Sequence, residues 1–234
     1  VRGAGARGMT LLELVIVVAI IALLAAGSYA TVEGMGARSG PTRASNDLTS
    51  ALSEARARAV ARTEDVWVII YPDIDPEGTS GTGSGAWFML EDRQMNFGSA
   101  AAVPGELRFS SFLPPNAIQP AASQGRLIEA NYLDKYTRRS VRFGVAGGIA
   151  FDGIFAALPA SPCSFCSGTP RRGAIIFRPD GSARFVDGMG AAVVPIGAGA
   201  AGRAAALGIV AADSSSEFLF AISGPVGFIE TRFR

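Results

Sequence analysis

Residues 8–32 read GMTLLELVIVVAIIALLAAGSYATV, and from Met9 to Val32 every residue is apolar or neutral except Glu13. As a helix this stretch is about 36 Å long, enough to cross a bilayer core of about 30 Å. Arg2 and Arg7 precede it, and no further arginine or lysine occurs before Arg38. The positive-inside rule then places residues 1–8 in the cytoplasm and the remainder of the chain outside. A cleaved secretory signal peptide would look similar, with Ser28-Tyr29-Ala30 as its small-x-small cleavage site. Glu13 argues against that reading. A carboxylate within the apolar run costs about 2–3 kcal/mol of insertion free energy, and a signal peptide has no use for it. Charges inside a membrane are by default functional and have partners. Cutting the chain between Gly8 and Met9 would create one: the new α-amino group lies four residues from Glu13 and can pair with a neighbour's carboxylate in a packed array.

Gly8-Met9-Thr10-Leu11-Leu12-Glu13-Leu14-Val15 resembles the processing signal of type IV prepilins, with glycine before the cut, a hydrophobic residue after it and glutamate fifth in the mature chain. The resemblance implies cleavage between Gly8 and Met9 by a membrane aspartyl prepilin peptidase, N-methylation of Met9, and a role for Glu13 in assembly register. It also implies a type IV pilin-like α+β fold, in which a long N-terminal helix packs on an antiparallel sheet. The expected organisation is a leader over 1–8, a transmembrane and filament-core helix over 9–32, and a periplasmic globular domain over 33–234. Such a protein sits in the bacterial inner membrane as a single-pass subunit and later enters a filament. Its expected partners are other pilins or pseudopilins, the prepilin peptidase and the inner-membrane assembly platform.

The composition narrows the alternatives. Histidine is absent, which removes the commonest general base and metal ligand; neither catalytic residues nor cofactors are expected. The net charge is +1, so the chain has no general electrostatic reason to bind nucleic acid. Removing Arg2 and Arg7 from the 21 basic side chains leaves 19 against 20 acidic ones.

Beyond the N-terminus, Gly34, Gly36, Gly40 and Pro41 predict a break or kink in the helix. Ser45-Asn46-Asp47 offers N-cap residues for a second helix over 46–63, with Leu48, Leu52, Ala55 and Ala59 as its apolar stripe. Arg56, Arg58 and Arg62 on this helix read as a solvated face or as a basic partner surface. From Asp65 the period shortens. Val66–Tyr71 and Ala86–Leu90 read as a hairpin around the loop 72–85. Further strands are expected at Leu107–Phe112, Val141–Phe143, Gly148–Phe151, Ala174–Phe177, Ala183–Val186, Phe218–Ile222 and Phe228–Phe233. A helix followed only by strands is an α+β arrangement.

This order resembles the GspH/FimT family of minor pilins and pseudopilins. The resemblance rests on Ala55-Arg56, on Gly85-Ala86-Trp87-Phe88, on Ile176–Ala183 (IFRPDGSA), and on Ala221–Phe228 (AISGPVGF). Segments 92–140 and 187–213 exceed the usual family length. The resemblance implies a structural subunit of a type IV pilus or type II secretion pseudopilus. Its alternative is a tip subunit that captures DNA or a surface ligand, for which Arg232 and Arg234, on one face of the last strand, are the candidate contacts. So few phosphate contacts would bind weakly and with steep salt dependence.

Three other motifs have plainer readings. Gly197-Ala198-Gly199-Ala200-Ala201-Gly202, between Val193–Ile196 and Arg203–Ala212, mimics the strand, glycine loop and helix that hold a pyrophosphate. It lacks the acidic residue at the next strand end and arises readily in a Gly/Ala-rich chain. Asp73, Asp75 and Glu77 with Gly78 resemble half an EF-hand loop, but the twelfth position is Ser84 and Pro76 interrupts it; a solvated hairpin tip is the reading preferred. Cys163 and Cys166 are the only cysteines. A zinc site would need two further ligands, whereas the oxidising exported compartment favours a disulfide between them.

Overall fold

A computed structural model describes residues 11–93, 95–98, 108–112, 114, 127–136, 141–193, 204–213 and 215–234, and the side chains of all of these except 26–38. It is an α+β protein. Helix α1 spans Leu11–Arg62 and is followed, among the described residues, by nine strands: β1 (Asp65–Tyr71), β2 (Ala86–Asp92), β3 (Leu127–Tyr132), β4 (Val141–Phe143), β5 (Gly173–Phe177), β6 (Ala183–Val186), β7 (Ala204–Ala211), β8 (Glu217–Ser223) and β9 (Ile229–Phe233). Pairing is antiparallel throughout. The strands form a five-stranded sheet in the order β3-β2-β1-β5-β6 and a four-stranded sheet in the order β4-β7-β8-β9. The chain divides into two compact units, Val1–Ser39 and Gly40–Arg234.

Within the second unit, α1 supplies the stripe Ala44, Leu48, Ala51, Leu52, Ala55 and Ala59, all buried. It packs against one face of each sheet: Val68, Ile70, Met89 and Ile175 on the first, Leu207, Ile209, Phe220 and Ile222 on the second. Small alanines on the helix allow this close approach. The other face of the first sheet carries Ile69, Tyr71, Phe88 and Leu90, covered by Phe97, Phe109 and Phe112. The other face of the second sheet carries Ala206, Val210, Leu219 and Ala221, covered by Phe151, Phe155 and Leu158. The inner strands of both sheets are therefore buried on both sides, which is why β1, β2, β5, β7 and β8 read as largely continuous apolar runs rather than alternating ones. The close approach of the covering segment needs Gly208 on β7. A Cβ there would lie 2.2 Å from the Gly144 carbonyl oxygen, which is hydrogen-bonded territory: the Gly144 N–H donates to Gly208 O at 3.0 Å.

The structure departs from the sequence expectations at several places. Of the break or kink expected at Gly34–Pro41, the break is absent, since α1 is helical through Pro41, and Ser45-Asn46-Asp47 do not start a new helix. Instead, the Ser45 carbonyl accepts the Thr49 hydroxyl at 2.8 Å, one turn on. Gly40, Pro41 and Ala44 are buried in the second unit, so tertiary packing offsets the local cost of proline. Of the strand expected over Leu107–Phe112, the described residues 108–112 are not a strand; Phe109–Ser111 makes a single 3₁₀ turn whose aromatic neighbours cover the first sheet. Gly148–Phe151 is irregular for the same reason, because it serves as cover for the second sheet. β3 and β7 were not expected as strands. Among the described residues no helix is long and apolar enough to cross a membrane. The span expected over Met9–Val32 extends past the described side chains at both ends.

Candidate assembly site

Leu11 to Ala25 form one helical stretch of α1 in which every side chain is exposed. Eleven of these are Leu, Ile or Val, among them Leu11 at 82 % and Leu23 at 75 % exposure. A helix that is apolar on all sides belongs in a core, a bilayer or a bundle of like helices. Burying these eleven side chains would release on the order of 20 kcal/mol before entropic costs. The stretch is about 22 Å long. Glu13 lies in its first turn and is the only charged residue in it. Gly8 and Met9 lie outside the described residues.

In the second half of α1, Arg56 and Arg62 are exposed and Arg58 is partly so, as expected of a solvated helix face, and all three also have intramolecular partners. Arg58 pairs with Glu54 at 2.7 Å, one turn earlier, and with Glu91 at 3.2 Å. Arg62 lies 2.7 Å and Arg93 3.2 Å from the same Glu91 carboxylate. Glu91 is only 2 % exposed, so three guanidinium groups compensate one desolvated charge and tie the end of α1 to β2. Arg56 donates to the Gly181 carbonyl at 3.4 Å. A second tie joins α1 to the turn after β3. The Tyr136 hydroxyl donates to Asp47 and accepts from Asn131 Nδ2 at 3.4 Å; burial first, then the Asp47 contact, pushes its pKa far up. Glu91 could not have been found from the sequence, because it sits at the end of an apolar strand with no pattern to mark it.

Cys163 and Cys166 form a disulfide with their Cα atoms 5.4 Å apart. The loop they close lies between the sheets: Cys163 bridges to Leu207 on β7, the Ser164 N–H donates to Ala206 O at 2.9 Å, and Phe165 packs on Phe185 of β6. The short loop places its stabilisation at about 2 kcal/mol. Thiol labelling of unfolded, unreduced protein is expected to find no free thiol; two labelled cysteines would contradict the bond.

The loop 72–85 is built from its own hydrogen bonds. Asp73 O accepts from the N–H groups of Gly81 and Gly83 at 2.8 and 3.1 Å, and the Asp75 carboxylate accepts from Thr79 N at 2.6 Å and Thr82 Oγ1 at 3.2 Å. Burial raises the Asp73 pKa, opposed by nearby Arg171. Among the described residues no group of three His, Cys, Asp or Glu could hold a metal. The glycine loop 197–202 lies outside the described residues, and the segment after it is β7 rather than the helix a pyrophosphate site requires. At the C-terminus, Arg232 pairs with Glu230 at 2.7 Å and with Asp152. The Arg234 guanidinium lies against Gly148, whose N–H donates to Glu217 at 2.8 Å. Glu230 and Asp152 compete with any phosphate for Arg232.

The family model for the prokaryotic N-terminal methylation motif matches residues 4–29. The N-terminus thus carries the signal found on type IV pilin-like substrates of prepilin peptidase. No curated protein and no solved structure matches the chain.

Proposed function

We propose that the chain is a non-enzymatic minor pilin or pseudopilin, cut between Gly8 and Met9, N-methylated on Met9, and assembled into a type IV pilus or type II secretion pseudopilus. The reading rests on one combination: a methylation motif over residues 4–29 followed at once by an apolar helical stretch exposed on every side. Before assembly the helix lies in the inner membrane, with the remainder of the chain in the periplasm. On assembly it moves from lipid into a bundle of like helices, and Glu13 meets the Met9 amine of an adjacent subunit. The second unit covers the outside of the filament. Mass spectrometry of the mature N-terminus tests the proposal. The expected chain begins at Met9 and carries one N-terminal methyl group; a chain beginning at Thr31 would instead identify a signal peptide and end the pilin reading.

A further inference from the structure

β9 is an edge strand. Glu217 and Arg234 exchange both backbone hydrogen bonds, at 3.1 and 3.0 Å, and Ser223 N donates to Phe228 O at 2.8 Å. With the register Phe218↔Phe233 to Ile222↔Ile229, the alternation of an antiparallel ladder turns the N–H and C=O of Glu230 and Arg232 toward β8. Those of Ile229, Thr231 and Phe233 point away from it. Among the described residues no strand pairs with that outer edge. β9 has no proline or bulge to protect its edge, its two charges are Glu230 and Arg232, and its last residue, Phe233, is 77 % exposed.

The strand reads Ile229-Glu230-Thr231-Arg232-Phe233, which is complementary to itself when reversed. An antiparallel copy centred on Thr231 sets Thr231 opposite Thr231, Ile229 opposite Phe233 and Glu230 opposite Arg232. The outward backbone groups of 229, 231 and 233 then form the hydrogen-bonded pairs. The two opposite-charge pairs fall on the face away from α1, and the apolar pairs on the α1 face. On that face a groove of about 570 Å³, lined by Ser53, Ala57, Val60, Ala61, Phe228 and Ile229, runs between α1 and the β8–β9 turn and has room for the partner's side chains.

We propose that the outer edge of β9 pairs with β9 of a second copy of this chain. The contact is isologous and closes on itself, so it joins copies laterally and does not propagate a filament; it stands independently of the N-terminal processing. The native cysteines are already bonded to each other, which permits a register-specific test on the full chain in detergent. Under mild oxidation, a mixture of Glu230→Cys and Arg232→Cys chains is expected to give a disulfide-linked dimer. Neither variant alone should do so, because like positions lie on the diagonal at roughly 7–8 Å, beyond disulfide reach. Separately, Glu230→Arg or Arg232→Glu places like charges opposite each other twice. Each should weaken the dimer about tenfold by analytical ultracentrifugation, and the double exchange should restore it. A chain that stays monomeric, crosslinking that is equal in single and mixed samples, or a double exchange that restores nothing would overturn the proposal and leave the edge to a strand from a different protein.

Discussion

Glu13→Ala is expected to leave cleavage and membrane insertion intact and to remove the protein from the filament. Deleting the carboxylate makes insertion easier, since an acidic group within an apolar helix costs up to about 2–3 kcal/mol. Assembly reverses the sign. In the proposed filament the processed chain would have two charges between Met9 and Val32, the Glu13 carboxylate and the new amine of Met9, and a bundle of like helices would bury both. Removing one member of a buried pair leaves the other uncompensated, at a cost of about 3–5 kcal/mol. That corresponds to a drop of at least about a hundredfold in the fraction of subunits co-purifying with sheared filaments. Glu13→Gln should behave nearly as badly, because a neutral amide leaves the amine unanswered. The pair also favours one axial stagger over others, so the defect is one of register as well as stability. Wild-type incorporation of both variants would contradict the pairing and would point to a subunit at the filament tip.

Much of this architecture was legible because local pattern and tertiary environment agree. Val66–Tyr71 and Ala86–Leu90 are β-branched or aromatic and bounded by a Pro/Gly/Ser loop, and they form the β1–β2 hairpin. Leu48, Leu52, Ala55 and Ala59 recur at helical spacing and are buried. The misreadings occur where burial selects against local preference. β7 reads AAALGIVA, with alanines and a glycine that disfavour a strand. They are required there because α1 presses on one face, through Ala205, and the 144–162 cover presses on the other, through Ala204 and Ala206. β3 is a half-exposed edge with a mixed pattern, LIEANY. Pro41 suggested a stop, yet a buried proline inside a packed helix is retained by its neighbours. At the N-terminus the sequence was nearly sufficient, since the signal there is chemical and consecutive. The Glu91 clamp and the self-complementary edge of β9 depend on which strands become neighbours, and no local pattern carries that information.

Arg172→Ala is expected to lower the unfolding free energy by about 3–5 kcal/mol and the melting temperature by roughly 10 °C. Arg172 is 7 % exposed and stands where three segments meet. Its Nη1 donates to Phe112 O at 2.7 Å and to the Tyr71 hydroxyl at 3.0 Å, Nη2 to Ser110 O at 3.3 Å, and Nε to Gly188 O at 3.1 Å. The guanidinium also lies 4.6 Å from the Phe109 ring centroid. One side chain thereby satisfies the carbonyls of the 108–112 turn and of the loop after β6, and it holds the aromatic cover on the first sheet. Burial raises the Tyr71 pKa, opposed by Arg172, so the phenol remains a neutral donor to Phe112 O at 3.3 Å. Truncation to alanine opens a cavity and strands several acceptors at once, each at about 1–3 kcal/mol before relaxation. Arg172→Met refills the volume without supplying a donor and should recover only part of the loss. Arg172→Lys keeps the charge but replaces a planar fork with a flexible ammonium that cannot reproduce the four directions, so it should fall between the two. Urea unfolding of the oxidised protein separates these cases. A Arg172→Ala variant within about 1 kcal/mol of wild type, less than one orphaned acceptor is worth, would show that the cover is held by aromatic packing alone.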